Sequence, residues 1–166
     1  PEYRRWLESV IERCSIDHVY VSSLIGHSLD LLEIPVPMTI VHHDYFPYCI
    51  ALLPWFGEDC RACDGTRLTA CHHANPRSEL MRRNGPPYWT RVRREYLAHL
   101  RNQRFTHVVP SVATAEHLAM LDQTFAGLDF EVIPHGLDGT ARSCFGSAEP
   151  GRRLRLLLLG RLKDPE

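Results

Sequence analysis

The sequence predicts an α/β chain: a partial, Rossmann-like, doubly wound parallel sheet carrying a long Cys-rich loop. Three observations lead there. Apolar, β-branched runs alternate with helical patterns along the 166 residues, in the order strand, helix, strand, helix, strand, helix, strand. The run from Met38 to His42 is continuous rather than alternating, which suits a parallel strand covered on both faces. Near the end, Val132-Ile133 runs into Pro134-His135-Gly136, and Leu156-Leu157-Leu158-Leu159 runs into Gly160-Arg161, so two strands each open onto a glycine turn.

Each element has a local reason. Residues 3–13 place Trp6, Val10 and Ile11 at helical spacing among Arg and Glu, predicting an amphipathic helix. His18 to Leu24 reads as a short buried strand. Gly26 and Ser28 lead into a helix over Leu29 to Ile34, which Pro35 and Pro37 end. Met38 to His42 is the second strand. From Asp44 to about Pro76 the pattern loses its period and fills with Cys, Pro, Gly, Trp and His, predicting an unusually long connection of the kind that carries function. Helices follow over 78–83 and 88–103, separated by Asn84-Gly85-Pro86-Pro87. Then come a strand from Thr106 to Val109, a helix from about Thr114 to Phe125 with Ser111 or Thr114 as N-cap, and a strand from Phe130 to Ile133. Residues 139–152 are small and polar and read as a linker.

A hydrophobic content of 44% is enough for a real core, and a formal charge of −1 gives no global polyanion-binding signature. No apolar run approaches the roughly 20 residues of a membrane-spanning helix, and the N-terminus has no signal-peptide character. A cytoplasmic location follows as the default. Arginine makes up the basic residues except for Lys163, a compositional bias without functional content.

Three constellations carry chemistry. His43 and Asp44 follow the second strand, where open α/β sheets bind ligands, so an imidazole beside a carboxylate there can serve a substrate hydroxyl. The plain alternative packs one histidine of the His42-His43 pair on the sheet and uses Asp44 to cap the next turn. Four of the six cysteines, Cys49, Cys60, Cys63 and Cys71, fall within 23 residues. They can complete a structural zinc site or simply lie buried as reduced thiols. Arg61-Ala62 between Cys60 and Cys63 sits in a loop and not at a strand-to-helix turn, which argues against a thioredoxin-like role. The third is arginine over 77–104: Arg77, Arg82, Arg83, Arg91, Arg93, Arg94, Arg101 and Arg104 against Glu79 and Glu95. With Tyr88, Trp89, Tyr96 and Leu97 interleaved, the helix over 88–104 reads as a solvated basic face suited to peripheral contact with an anionic membrane or a phosphate-bearing acceptor. No nucleic-acid module accompanies it.

In order, Thr39-Ile40-Val41-His42-His43-Asp44 with Tyr45-Phe46-Pro47-Tyr48-Cys49, then Thr106 to Ser111, Val132 to Asp138 and Leu159-Gly160-Arg161-Leu162 resemble the landmarks of the retaining glycosyltransferases of family four, over nearly the whole chain. The resemblance implies a two-domain GT-B architecture. Residues 1–138 would be the acceptor-side domain, 139–152 the interdomain linker and 153–166 the first strand of the donor-binding domain. It further implies hexose transfer from a nucleotide sugar to a glycan or lipid-linked acceptor in polysaccharide or lipopolysaccharide assembly. No cofactor is needed for the chemistry. His43 would contact the transferred sugar or acceptor, Arg161 with Gly160 the donor diphosphate, and Ser111, His135 and Gly136 would shape the cleft. The family's glycine-rich first loop, its donor-binding Glu motif and the lysine beyond Gly160-Arg161 have no counterpart here, so the chain by itself is expected to be inactive. An exposed sheet edge and a homodimer are expected with it. Two other readings stand beside this one, a zinc-stabilised protein-interaction module and part of a nucleotide-sugar 2-epimerase-like enzyme.

Overall fold

The computed structural model describes residues 2–55, 58–75, 83–102 and 104–134 and the backbone of 156–159. Helix α1 spans Glu2–Cys14, with acidic Glu2 in its first turn and basic Arg13 in its last, both complementing the helix dipole. Leu7 and Ile11, one helical turn apart, are its buried residues. Trp6 is 57% exposed and stacks on Tyr3, so the buried stripe lies one residue away from the one the Trp6 spacing predicts. Ser15 takes the left-handed conformation at φ 50° and turns the chain into strand β1, His18–Val21.

A 3₁₀ turn over Leu29–Glu33 begins where the Ser28 side chain accepts from the Asp30 N–H, and it buries Leu31 and Leu32. Strand β2 spans Met38–Val41. The structure then departs from the expected Cys-rich loop. Residues Gly65–Ala74 form helix α2, capped by the Asp64 carboxylate accepting from the Arg67 N–H. Cys71 therefore sits on a helix. Helix α3, Pro86–Leu100, starts with proline where its missing N–H costs nothing, and buries Trp89, Arg93, Tyr96 and Leu100. Arg93, expected on the solvated basic face, is instead an inside residue. The helix expected over 78–83 lies largely outside the described residues.

Strand β3, Phe105–Val109, leads to helix α4, Val112–Leu121, whose N-cap is Ser111 as its sequence suggests. Asp122 then stops α4 and caps a short helix α5, Gln123–Ala126, so the single expected helix is two. Strand β4, Phe130–Val132, follows, and β5 spans Leu156–Leu159.

All five strands are parallel, in the order β4-β3-β2-β1-β5. The chain steps outward from β1 to β4, then returns to the opposite side of β1, where His18 pairs with Leu156 and Val21 with Leu159. Residues 156–159 thus pair along the outer side of β1. Beneath the sheet lies one core containing Val19, Val21, Met38, Ile40 and Val109 from the strands, Leu7 and Ile11 from α1, Leu31 and Leu32 from the 3₁₀ turn, Tyr96 and Leu100 from α3, and Leu118, Leu121 and Phe125 from α4 and α5.

Candidate functional site

Parallel strands put all their C-terminal ends on one edge, and the order reverses at β1, so that edge beside β1 is where a crevice forms in such sheets. The loops leaving β1 and β2 meet there. Ser23 Oγ donates to Asp44 Oδ2 at 2.9 Å and accepts from the Ile25 N–H at 3.2 Å. Asp44 Oδ1 accepts from the Phe46 N–H at 3.0 Å, and His43 Nε2 lies 3.6 Å from Asp44 Oδ2. Both carboxylate oxygens are therefore engaged, which makes Asp44 a holder of His43 and of its own turn. His43 keeps 34% of its side chain exposed at this edge, enough for a substrate hydroxyl to reach it.

The two histidines divide the roles that the sequence leaves open. His42 is buried, 3.0 Å from His107 Nδ1 through Nε2 and 3.3 Å from the Tyr96 hydroxyl through Nδ1, while His107 Nε2 lies 3.2 Å from the Leu100 carbonyl. A carbonyl only accepts, so His107 donates to it from Nε2 and must accept at Nδ1. His42 then donates from Nε2 and accepts the Tyr96 proton at Nδ1. With both rings neutral every proton has a partner. Burial holds His42 down to about 3, with His107 and His43 adding to it, and burial lowers His107 against the Leu100 hydrogen bond. His42 is a packing residue, and Asp44 does cap the following turn.

Beside this edge a cleft of about 460 Å³ is walled by Gly26 to Asp30, by Phe46 and Pro47 of the turn that Asp44 caps, and by Arg83, Tyr88, Arg91 and Glu95. It joins cationic and aromatic groups, with the Arg91 guanidinium 5.4 Å from the centre of the Tyr88 ring. Ser111, at the end of β3, spends its hydroxyl on the α4 cap, accepting from the Thr114 N–H at 3.1 Å.

Among its described residues the segment from Tyr45 to Asp64 has no helix or strand but is tied down by side chains. The buried Arg93 donates from Nε to the Tyr48 carbonyl at 2.8 Å, from Nη1 to the Cys63 carbonyl at 2.7 Å and from Nη2 to Cys63 Sγ at 3.3 Å, and lies 4.4 Å over the Tyr48 ring. The Tyr48 hydroxyl donates to the Leu121 carbonyl at 2.7 Å. His117 joins Tyr45 to the Cys60 carbonyl at 3.3 and 2.8 Å. Cys49, Cys60, Cys63 and Cys71 all line one cavity of about 20 Å³ and none forms a disulfide. Burial pushes the Cys49 thiol up to about 11 against a hydrogen bond with Ala51, with Cys71 and Cys63 pushing further, and burial likewise raises Cys71, followed by Cys63 and Cys60. Among the described residues no group of three or more His, Cys, Asp or Glu is placed so that it could hold a metal ion.

Sequence reading missed Ser23, His107 and His117, counted Tyr96 only among the aromatics of a basic helix, and took Arg93 for a surface charge. Ser23 had one available signal, its place just past a strand of the parallel sheet; the others are partners only in three dimensions. His135, Gly136, Gly160 and Arg161 lie outside the described residues. No helix among the described residues is long and apolar enough to cross a membrane. No protein-family model, no curated protein and no solved structure matches the chain.

Proposed function

We propose that the chain is the acceptor-side, Rossmann-like part of a retaining glycosyltransferase of family four, moving a hexose from a nucleotide sugar to a glycan or lipid-linked acceptor. The observation that carries this reading is His43, held by Asp44 and through it by Ser23, at the C-terminal edge of the parallel sheet next to the strand-order reversal. His43 contacts the incoming hydroxyl or the transferred sugar, and Asp44 orients it. The neighbouring cleft receives the acceptor, with Tyr88 offering a face to a sugar ring and Arg83 and Arg91 meeting phosphate. Arg91, Arg94 and Arg101 are exposed, and their spacing of three and seven residues aligns them on one side of α3 and its C-cap, where they meet an anionic acceptor at the inner face of the membrane. The nucleotide-sugar diphosphate falls to Gly160 and Arg161, with His135 and Gly136 at the cleft.

The test is transfer of labelled sugar from a nucleotide sugar to endogenous lipid-linked acceptor by the complete gene product. His43→Ala is expected to lower the rate by about 100-fold or more, the contribution of a positioned acid-base group. Replacement of Ser23 by Ala, which loosens Asp44 without touching the imidazole, is expected to have a smaller effect of the same sign. Wild-type transfer by the His43→Ala protein removes the reading.

A further inference from the structure

Four thiols separated along the chain line one small cavity, although as they stand no three of them form a group that could hold a metal ion. Cys49 follows the turn after β2, Cys60 and Cys63 flank Arg61-Ala62, and Cys71 faces them from α2; all four line the cavity of about 20 Å³, which has room for a single water or metal ion. The remainder of its wall is largely apolar, including Ile50, Leu53, Pro54, Trp55 and Leu68. A dry pocket of that kind excludes competing water ligands and favours soft sulfur donors.

We propose that Cys49, Cys60, Cys63 and Cys71 bind one zinc ion as a structural tetrathiolate site. The inference stands apart from the transfer reading and would hold for any function of the sheet. Each thiol that becomes a ligand gives its proton to solvent, and zinc keeps its oxidation state, so no oxidant or reductant enters. Four thiolates on one zinc carry a net charge of −2, and two guanidiniums stand beside them. Arg93 Nη2 already donates to Cys63 Sγ at 3.3 Å, and Arg67 is in hydrogen-bond reach of Cys60. Asn75 Nδ2 donates to Cys71 Sγ at 3.6 Å. Such N–H···S bonds orient thiolate ligands and spread their charge. Present contacts offer little resistance to turning the sulfurs inward: Cys49 Sγ reaches the Leu53 carbonyl at 3.6 Å and Cys63 Sγ the Asp64 carbonyl at 3.9 Å, both long.

The site also gives the Tyr45 to Asp64 segment a reason for its sequence. Among its described residues that stretch contains no strand or helix beyond one isolated bridge between Trp55 and Asp59, and a metal supplies folding free energy where regular structure does not.

The chain is purified without chelator and assayed for zinc by mass spectrometry and for thiols with a chromogenic disulfide. About one zinc per chain is expected. The exposed Cys14 is expected to react at once and the four cavity thiols only after strong chelator is added. Cobalt(II) exchanged into the metal-free chain is expected to give the intense thiolate charge-transfer and tetrahedral ligand-field bands. Cys60→Ser and Cys71→Ser should each lose zinc, whereas Cys14→Ser should keep it. Should either cavity variant fail to fold, thiol protection and the cobalt spectrum of the unsubstituted chain decide alone. Six thiols reacting together before chelation, with no sulfur charge-transfer band on cobalt addition, overturn the site.

Discussion

His42 is sealed inside the sheet, where burial favours the neutral ring. Protonating its Nδ1 would turn the Tyr96 hydroxyl from donor to acceptor, and protonating His107 would set two hydrogens face to face at the His42 bond. The folded-state pKa of His42 is about 3 against an ordinary 6.5, so the unfolded chain takes up protons that the folded chain refuses. The stability this provides is complete above the unfolded value and drains as pH falls from about 6.5 toward 3, at up to roughly 1.4 kcal/mol per pH unit for each such proton. His107, lowered by burial, acts in the same direction. Urea midpoints are expected to fall steadily from pH 7 to pH 4, and His42→Phe should reduce that slope; an unchanged slope in this variant would contradict the assignment. His43, one residue on, has a different fate because the strand ends between them. That parity was legible in the sequence as a pair of histidines at a strand end, but which one faces inward depended on His107 and Tyr96, residues 65 and 54 positions away.

At the scale of elements, strands were legible and α2 was not. Runs of apolar and β-branched residues such as Met38–Val41 declare themselves by composition, although only one face is sealed: Met38 and Ile40 are buried while Thr39 and Val41 are half-buried. Helix α2 buries only Leu68, so no apolar period marks its ten residues. Its start is set by a cap instead, Asp64 accepting from the Arg67 N–H at 2.8 Å. Asp64→Ala is expected to cost about 1 kcal/mol in chemical denaturation. It should also loosen Cys71 relative to Cys63, read as faster thiol labelling in the metal-free chain; unchanged stability would mean that packing against α3 alone holds α2. Helix α3 was legible in its extent but not in its orientation. An arginine among arginines looks solvated, and only the free carbonyls of Tyr48 and Cys63, belonging to a segment without regular hydrogen bonding, call Arg93 inward.

At the scale of the molecule, β1 has partners on both sides only because β5 returns to it. A chain ending at residue 155 leaves the outer edge of β1, from His18 to Val21, with unpaired N–H and C=O groups, a template for pairing with another copy. Such a truncation is expected to shift light-scattering mass to dimer or higher, while the unshortened chain stays smaller; equal masses would show that β5 does not guard that edge. The pairing has a kinetic side as well. β3 and β4 join residues such as His107 and Phe130, separated by one helical crossover, whereas β1 and β5 join His18 to Leu156, with the whole of β2 to β4 between them. Closing so long a loop costs entropy before any contact returns it, so the inner strands assemble first and β5 docks last. A protein built this way leaves the ribosome with its sheet open beside β1 until residues 156–159 arrive.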